Sequence, residues 1–326
     1  MAARAAVGTG KAMTNGTGRL QLGLLLRTGE QAKPAGRVVG WGEIKEMSVM
    51  AEAVGFDTIW MADHLIFRNA GSVVMEPGTS RGPYEAWTVL SAIAAVTSRA
   101  TLGPFVACNG FREPALLAKM ADALDEVSGG RLILGLGAGW HEPEYTAFGY
   151  PFDHLAGRFE EALRIIVPLL KGERVTFHGR YYQVTDSELR PRGPRPGGPS
   201  IWIGAKGPRM LRLIAQHADA YNTVWHTDVS QTAERFANMD AACRATGRDP
   251  ATLLRTSGSN VLVPDAGDAP DAPSSAIGGS AQAIAERLWA FHTEAGVSHM
   301  TVILDPWTTR GVEQFGKVIE KIRSFE

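Results

Sequence analysis

The sequence has few cysteines, no excess of charge of either sign and no long hydrophobic run. Its two cysteines, Cys108 and Cys243, are far apart and lack metal-ligand spacing, so we expect no disulfide framework and a reducing compartment. The chain has 33 Lys and Arg against 34 Asp and Glu, and no basic stripe indicates a nucleic-acid partner. No segment approaches the roughly 20 apolar residues of a membrane helix, so we expect a cytoplasmic protein with no membrane partner.

The composition is that of a globular protein, with 44% hydrophobic and 21% charged residues. Residues 1–18 are rich in Ala, Gly, Thr and Asn and have no apolar core of signal-peptide length, which predicts a disordered tail. The rest of the chain is long enough to bury one large core. We therefore expect a single domain over residues 19–326.

Short apolar segments alternate with amphipathic segments eight times along the chain. The predicted strands are residues 20–26, 58–62, 100–107, 132–136, 200–204, 219–224, part of 253–263, and 299–304. The predicted helices are residues 43–54, 84–97, 113–127, 155–170, 209–217, 230–246, 280–295 and 312–324. Strict alternation implies a parallel sheet, and eight units in roughly 300 residues match an α/β (β/α)8 TIM barrel. An open doubly wound sheet is the competing topology.

A small excursion is expected after the fourth strand and helix. Residues 175–178 and 181–184 read as a hairpin around Gly179, and a Pro-rich connector follows over residues 190–199. Pro168 is expected to end or kink the preceding helix. Pro104, inside the third strand, removes one ladder hydrogen bond and predicts a bulge there.

Polar residues follow the predicted strands, where the loops of a barrel would bring them to one face. They are Asp63-His64, Cys108-Asn109, Trp140-His141-Glu142, Lys206-Gly207 and Trp225-His226. Asp63 and His64 can be interpreted as an acid/base pair, as a ring-nitrogen ligand to a cofactor, or as an ordinary surface pair. His141 and Glu142 can likewise be interpreted as no more than a salt bridge at the end of a strand. No ligand spacing recruits a metal, so none is assigned.

Two glycine-rich segments follow strands. Gly204-Ala-Lys-Gly-Pro208 opens a helix and reads either as a phosphate site, with Lys206 adding a charge, or as a plain turn. Gly135, Gly137 and Gly139 do not make a dinucleotide fingerprint, because no helix is expected to open directly after them. These glycines would instead relieve crowding inside the barrel.

Four segments together resemble the luciferase-like monooxygenase superfamily, over nearly the whole chain after residue 19. They are Trp60-Met-Ala-Asp-His64-Leu, Arg112-Glu-Pro-Ala-Leu-Leu-Ala-Lys-Met120, Ser128 to Trp140 with Glu142, and Ile203-Gly-Ala-Lys-Gly-Pro208. The resemblance implies a barrel that holds a flavin or deazaflavin across the strand ends. The segments at strands two and five look most like the branch that uses the deazaflavin coenzyme F-420. Family members are commonly dimers, so the resemblance makes a homodimer an expectation.

The resemblance also implies roles for individual residues. Asp63 and His64 match the positions near the deazaflavin, with His64 tied to catalysis and oriented by Asp63. A non-prolyl cis peptide is expected at Phe105–Val106, behind the ring. The cofactor-binding set implied is Asp63, Phe105, Val106, Ala107, Asn109, Gly139, Trp140, Gly204, Ala205, Lys206, Gly207 and Pro208. Some members carry an acid at the position of Trp140, and Glu142 is near but not aligned with it.

Three functions follow from this resemblance. The first is an oxidoreductase that transfers hydride between F-420 and a small organic substrate, with Trp140, Trp225 and Phe67 as an apolar wall. The second is a monooxygenase that uses reduced FMN and oxygen in the same pocket. The third is a flavin-binding barrel without catalysis.

Overall fold

The computed structural model describes residues 18–30, 37–71, 73, 75–269 and 272–326. The tail predicted over residues 1–18 lies outside the described residues except for Gly18. Within these ranges the predicted alternation of strands and helices is present and forms an α/β barrel.

The barrel sheet has nine strand segments. They are β1 (Gln21–Leu26), β2 (Thr58–Met61), β3 (Thr101–Pro104), β4 (Ala107–Cys108), β5 (Ile133–Gly137), β6 (Ser200–Gly204), β7 (Ala220–Asn222), β8 (Leu254–Leu262) and β9 (His299–Asp305). The helices are α1 (Trp41–Val54), α2 (Ala86–Val96), α3 (Pro114–Val127), α4 (Glu142–Phe148), α5 (Leu155–Leu170), α6 (Pro208–His217), α7 (Val229–Ala245), α8 (Ala281–Ala295) and α9 (Thr309–Arg323).

All strand pairs in the sheet are parallel, in the order β3-β2-β1-β9-β8-β7-β6-β5-β4. The first and last segments in this order, β3 and β4, are two parts of the third barrel strand, so the sheet returns on itself. A bridge between Leu102 and Leu132 also brings β3 beside the start of β5. The barrel was therefore the correct choice over an open doubly wound sheet.

Large rings fill the lower interior of the barrel. The ring centroids of Trp60 and Trp202 are 5.1 Å apart, and those of Trp202 and His299 are 4.9 Å apart. Burial lowers the pKa of His299 to about 3, so this imidazole is neutral, and its Nε2 lies 3.1 Å from Thr58 Oγ1. This packed layer fills the barrel beneath the cavity that opens at the carboxyl ends of the strands.

The excursion lies where it was predicted, directly after α5. Residues Val175–His178 pair antiparallel with Gln183–Ser187, so the second strand begins two residues later than expected. Pro168 does not end α5, which continues to Leu170, because a proline in the last turn removes only one helical hydrogen bond.

One helix was not predicted, and several other elements begin or end one to three residues from their predicted limits. Helix α4 was not predicted, although it begins three residues after Gly139, has Pro143 in its first turn and ends at Gly149 in the left-handed conformation. Helix α9 begins at Thr309 rather than at residue 312, because Thr308 Oγ1 caps it by accepting from the Gly311 N–H. Among the described residues, no helix has both the length and the apolar character needed to cross a membrane.

Candidate active site

One cavity of about 970 Å³ opens at the carboxyl ends of the barrel strands. Ten of the thirteen predicted site residues line it: Asp63, His64, Phe105, Val106, Ala107, Gly139, Trp140, Gly204, Ala205 and Lys206. These residues come from the ends of four different strands, which is how a barrel assembles a site from distant parts of the chain. The cavity is of the size that holds small molecules and cofactors.

The third barrel strand is interrupted at the floor of the cavity. The Phe105–Val106 peptide bond is cis, as expected, and it separates β3 from β4. Phe105 rests on the buried Trp60, with ring centroids 5.3 Å apart, while Phe105 and Val106 both line the cavity. The bulge therefore places an apolar surface, supported by the packed interior, at the centre of the floor.

The neighbouring glycines of β5 make room for this bulge. A Cβ on Gly135 would lie 2.2 Å from the Pro104 carbonyl oxygen, and one on Gly137 would lie 2.7 Å from Val106 Cγ2. Both distances are below van der Waals contact, so any side chain at either position would push the bulge away. The interpretation that these glycines relieve crowding in the barrel agrees with this geometry.

The His64 imidazole lies on the same cavity as Phe105 and Val106 and is hydrogen-bonded to the carboxylate of Glu144. Its Nδ1 lies 2.9 Å from Oε1 of Glu144, and Oε2 of Glu144 accepts a 2.9 Å hydrogen bond from the Leu65 N–H. Glu144 is 2% exposed, so both of its oxygens are fixed inside the protein. An ionised carboxylate can only accept, so in this pair Nδ1 carries the proton and Nε2 keeps a lone pair, on a residue that lines the cavity. Among the described residues none hydrogen-bonds this Nε2.

Asp63 also lines the cavity, but its carboxylate points to a different partner. Arg112 contacts both oxygens, at 2.7 and 3.0 Å, and the Cys108 N–H donates to Oδ2 at 2.8 Å. Burial raises the pKa of Asp63, and the Arg112 guanidinium opposes that rise. The expectation that Asp63 orients His64 is therefore corrected: Glu144 forms the hydrogen bond with the imidazole, and Asp63 ties β4 to the start of α3.

Aromatic rings form the upper wall of the cavity around His64. The His64 ring lies 4.4 Å from the Phe67 centroid and 5.4 Å from that of Trp140, and Trp225 faces Phe105 at 6.5 Å. Trp140 and Trp225 are 50% and 43% exposed, which leaves large apolar surfaces open to a ligand. The predicted wall of Phe67, Trp140 and Trp225 is thus assembled on the same cavity.

Three predicted site residues lie outside this cavity. Asn109 is buried behind it and donates to the hydroxyl of Tyr182 at 3.3 Å. Gly207 and Pro208 line a second cavity between α6 and α7, and Lys206 borders both cavities. The loop after β6 therefore contributes its first residues to the main cavity, whereas its last residues line the second cavity at the start of α6.

Two residues of the site were missed from the sequence. Glu144 was not chosen because its helix was not predicted, although Pro143 and Gly149 were available as start and stop signals. Asn222, at the end of β7, lines the cavity and accepts from Thr256 Oγ1 at 3.0 Å through Oδ1. Asn222 could have been identified from the sequence, because it is a polar residue near the end of a predicted barrel strand.

A family model described as luciferase-like monooxygenase matches residues 20–274 of the chain. Over 177 residues the chain is 32% identical to a 5,10-methylenetetrahydromethanopterin reductase of Archaeoglobus fulgidus, covering 54% of this chain and 47% of that protein. Over 210 residues it is 33% identical to an F420-dependent glucose-6-phosphate dehydrogenase of Microbacterium testaceum, covering 63% of this chain and 59% of that protein. The chain thus spans about half to three fifths of the length of these curated relatives.

Solved structures share the fold. An F420-dependent secondary alcohol dehydrogenase, in complex with an F420-acetone adduct, superposes with a TM-score of 0.76 at 19% sequence identity. The superposition covers 94% of this chain and 99% of the other. At that identity the comparison concerns the fold, and it agrees with the barrel described above.

Proposed function

The chain belongs to the luciferase-like monooxygenase family, and we propose that within it the protein is an oxidoreductase that uses the deazaflavin coenzyme F-420. The proposed reaction moves a hydride between the coenzyme and a small organic substrate. The observation that carries this proposal is the His64–Glu144 pair beside the Val106 bulge, at one cavity large enough for a tricyclic ring and a substrate. The F420-dependent relative at 33% identity, named above, supports the choice of coenzyme.

The residues present fit such a coenzyme. Phe105, Val106 and Ala107 offer an apolar bed for a flat ring, and Gly137 and Gly204 beside them leave its approach free of side chains. Lys206, at the far end of the cavity, supplies a positive charge for a phosphate-bearing side chain. A bed of apolar groups with a few charged groups at its ends is typical of cofactor sites.

When bound, the deazaflavin supplies the hydride chemistry, and the protein supplies binding, orientation and a proton. The Val106 bulge would cover one face of the bound ring. A substrate would therefore reach the opposite face, on the side of His64, Phe67 and Trp140. Phe67 and Trp140, which flank the imidazole, would present apolar surface to a bound substrate. The substrate would therefore be an apolar or partly aromatic alcohol or carbonyl compound.

His64 holds or moves the proton at Nε2. With Glu144 accepting from Nδ1, neutral His64 presents a lone pair at Nε2 that takes the proton of an alcohol as it is oxidised. In the reverse direction protonated His64 donates from Nε2 to a carbonyl oxygen, and Glu144 stabilises the imidazolium. Asp63, which accepts hydrogen bonds from the Cys108 N–H of β4 and from Arg112, is proposed as a positioning residue that also lines the coenzyme cavity.

Anaerobic titration of the protein with F-420 and, separately, with FMN tests the proposal. We expect saturable quenching of coenzyme fluorescence with F-420 and weaker binding of FMN. Tighter binding of FMN, together with oxygen consumption by its reduced form, would replace the proposal with the flavin monooxygenase. If F-420 binds but no alcohol is oxidised, and if His64→Ala changes no measurable property of the protein, the protein is instead a non-catalytic barrel.

The remaining expectations follow from the same proposal. We propose a cytoplasmic enzyme that acts on a small molecule, requires no nucleic acid or membrane, and forms a homodimer. A single catalytic domain over residues 19–326 is part of this proposal. Analytical ultracentrifugation of the full chain measures the oligomeric state directly.

A further inference from the structure

A second cavity, of about 600 Å³, lies in the groove between α6 and α7. Tyr221 of β7 forms its inner wall, and α7 contributes Arg235, Asn238 and three alanines on one face. Because alanine side chains are small, they leave the space between the two helices unfilled. From Arg235 to Ala245 the groove follows α7 for about 15 Å, at 1.5 Å of helix rise per residue.

All the charged residues that line this groove in the described part of the chain are cations. Lys206, Arg212 and Arg235 line it, and no described Asp or Glu does so, although the whole chain has a net charge of −1. Arg212 is paired with Glu160, at 3.3 Å, outside the groove. Lys206 and Arg235 form no ion pair with any residue in the described ranges. Two cations are thus left without a protein counter-charge on the same cavity.

The two unpaired cations converge from different elements. Lys206 comes from the loop after β6 and Arg235 from the second turn of α7, and both are close enough to His226 to lower its pKa, after the larger effect of burial. Arg235 also lies near the hydroxyl of Tyr221 and opposes the rise that burial causes in the pKa of that group. The positive charge is therefore concentrated at the end of the groove where Lys206 borders the main cavity.

We propose that the groove between α6 and α7 binds a small oligoanion bearing carboxylates or phosphates, held by Lys206 and Arg235. Two sources share this chemistry. One is the anionic chain of the coenzyme itself, continuing from its phosphate past Lys206 into the groove. The other is a separate oligoanion that binds beside the coenzyme. Only the first source rests on the proposed function.

The test compares Arg235→Gln with Arg244→Gln in the full-length protein. Arg244 is an exposed arginine on the same helix that does not line the groove, so its variant controls for the loss of one charge. Asn238→Asp, which places a negative charge in the groove lining, is a second variant that leaves Arg235 in place. Circular dichroism verifies that each variant is folded.

Three probes are titrated by calorimetry at low and moderate salt: intact F-420, its chromophore with the ribityl chain but no phosphate, and inorganic tripolyphosphate. We expect Arg235→Gln and Asn238→Asp to raise the Kd of an anionic probe about fivefold, and Arg244→Gln to leave it unchanged. The effect should shrink as salt screens the charges. The chromophore without the phosphate chain should bind all variants equally.

The probe that responds identifies the source. A raised Kd for F-420 assigns the groove to the coenzyme's own chain, and a raised Kd for tripolyphosphate alone assigns it to a separate anion. Equal affinities for both anions in wild type, Arg235→Gln and Arg244→Gln overturn the inference. If neither F-420 nor its chromophore binds wild type, the proposed function fails, and the tripolyphosphate titration still decides the question of the groove.

Discussion

Nδ1 of His64 lies 2.9 Å from Oε1 of Glu144, a residue 80 positions later in the chain. The contact joins the loop after β2 to the first turn of α4, and the Leu65 N–H fixes the other carboxylate oxygen. A buried carboxylate that sets the tautomer and orientation of an imidazole is the arrangement found where histidine acts as a general base or acid.

Replacing Glu144 by glutamine should reduce kcat more than it changes coenzyme affinity. The amide keeps the size of the side chain but not the charge that stabilises the imidazolium. We expect a fall of roughly 10- to 100-fold for Glu144→Gln and of about 10²- to 10⁴-fold for His64→Ala. Steady-state kinetics with F-420 measure both. Glu142→Gln, an exposed change on the same helix, should be neutral; an equal loss there would remove the special role of Glu144.

An alanine at Gly139 should destabilise the protein more than an alanine at Gly149. Both glycines have positive φ, at +87° and +77°, but a Cβ at Gly139 would lie 1.8 Å from Tyr145 Oη, whereas Gly149 has open space. We expect about 1 kcal/mol for Gly149→Ala from backbone conformation alone, and several times as much for Gly139→Ala. Chemical denaturation measures the difference. Equal costs would show that the space around Tyr145 adapts.

Breaking the buried pair of Asp63 and Arg112 should lower stability substantially. Asp63→Asn removes the buried bidentate partner of the Arg112 guanidinium, which is 10% exposed, and leaves only the exposed Glu85 as its ion-pair partner. A loss of about 3–5 kcal/mol in the free energy of unfolding is expected. The pair of the exposed Asp153 and the partly buried Arg158 provides the control, and Asp153→Asn should leave the unfolding midpoint nearly unchanged. Similar effects of the two variants would contradict a structural role for Asp63.

Neither cysteine of the folded protein should react readily with thiol reagents near neutral pH. Burial raises the pKa of Cys108 to about 12, and burial also raises that of Cys243. At pH 8 only about one Cys108 thiol in ten thousand would be ionised, and its reactivity should rise about tenfold per pH unit. Labelling kinetics with a chromogenic disulfide measure this, and unfolding in guanidinium should expose both thiols. Rapid labelling of one native thiol at pH 8 would contradict the predicted pKa rise.

The barrel was predictable because its signals are local. The apolar segment of β5 and the helical period of α5 each lie within one stretch of chain, and the structure places α5 at Leu155–Leu170 as expected. The bulge in the third strand was predicted from Pro104, its cis peptide from the family resemblance, and the role of the β5 glycines from a short sequence pattern.

The partners of the site residues were not predictable in the same way. Asp63 and His64 are adjacent, and adjacency favoured a direct pairing, but their side chains point to Arg112 and Glu144 on different elements. Such contacts depend on how α3 and α4 dock on the barrel, which no local pattern reports. The seven residues of α4 are also too few to show a helical period.

The central claim is that one cavity holds a deazaflavin ring against the Val106 bulge with His64 in front of it. A crystal structure of the protein with F-420 measures this most directly. We expect the ring over Phe105–Val106, the phosphate beside Lys206, and His64 Nε2 facing the reacting part of the ring with Nδ1 still bonded to Glu144. Electron density for the coenzyme elsewhere on the protein, or with His64 turned away from it, would contradict the account.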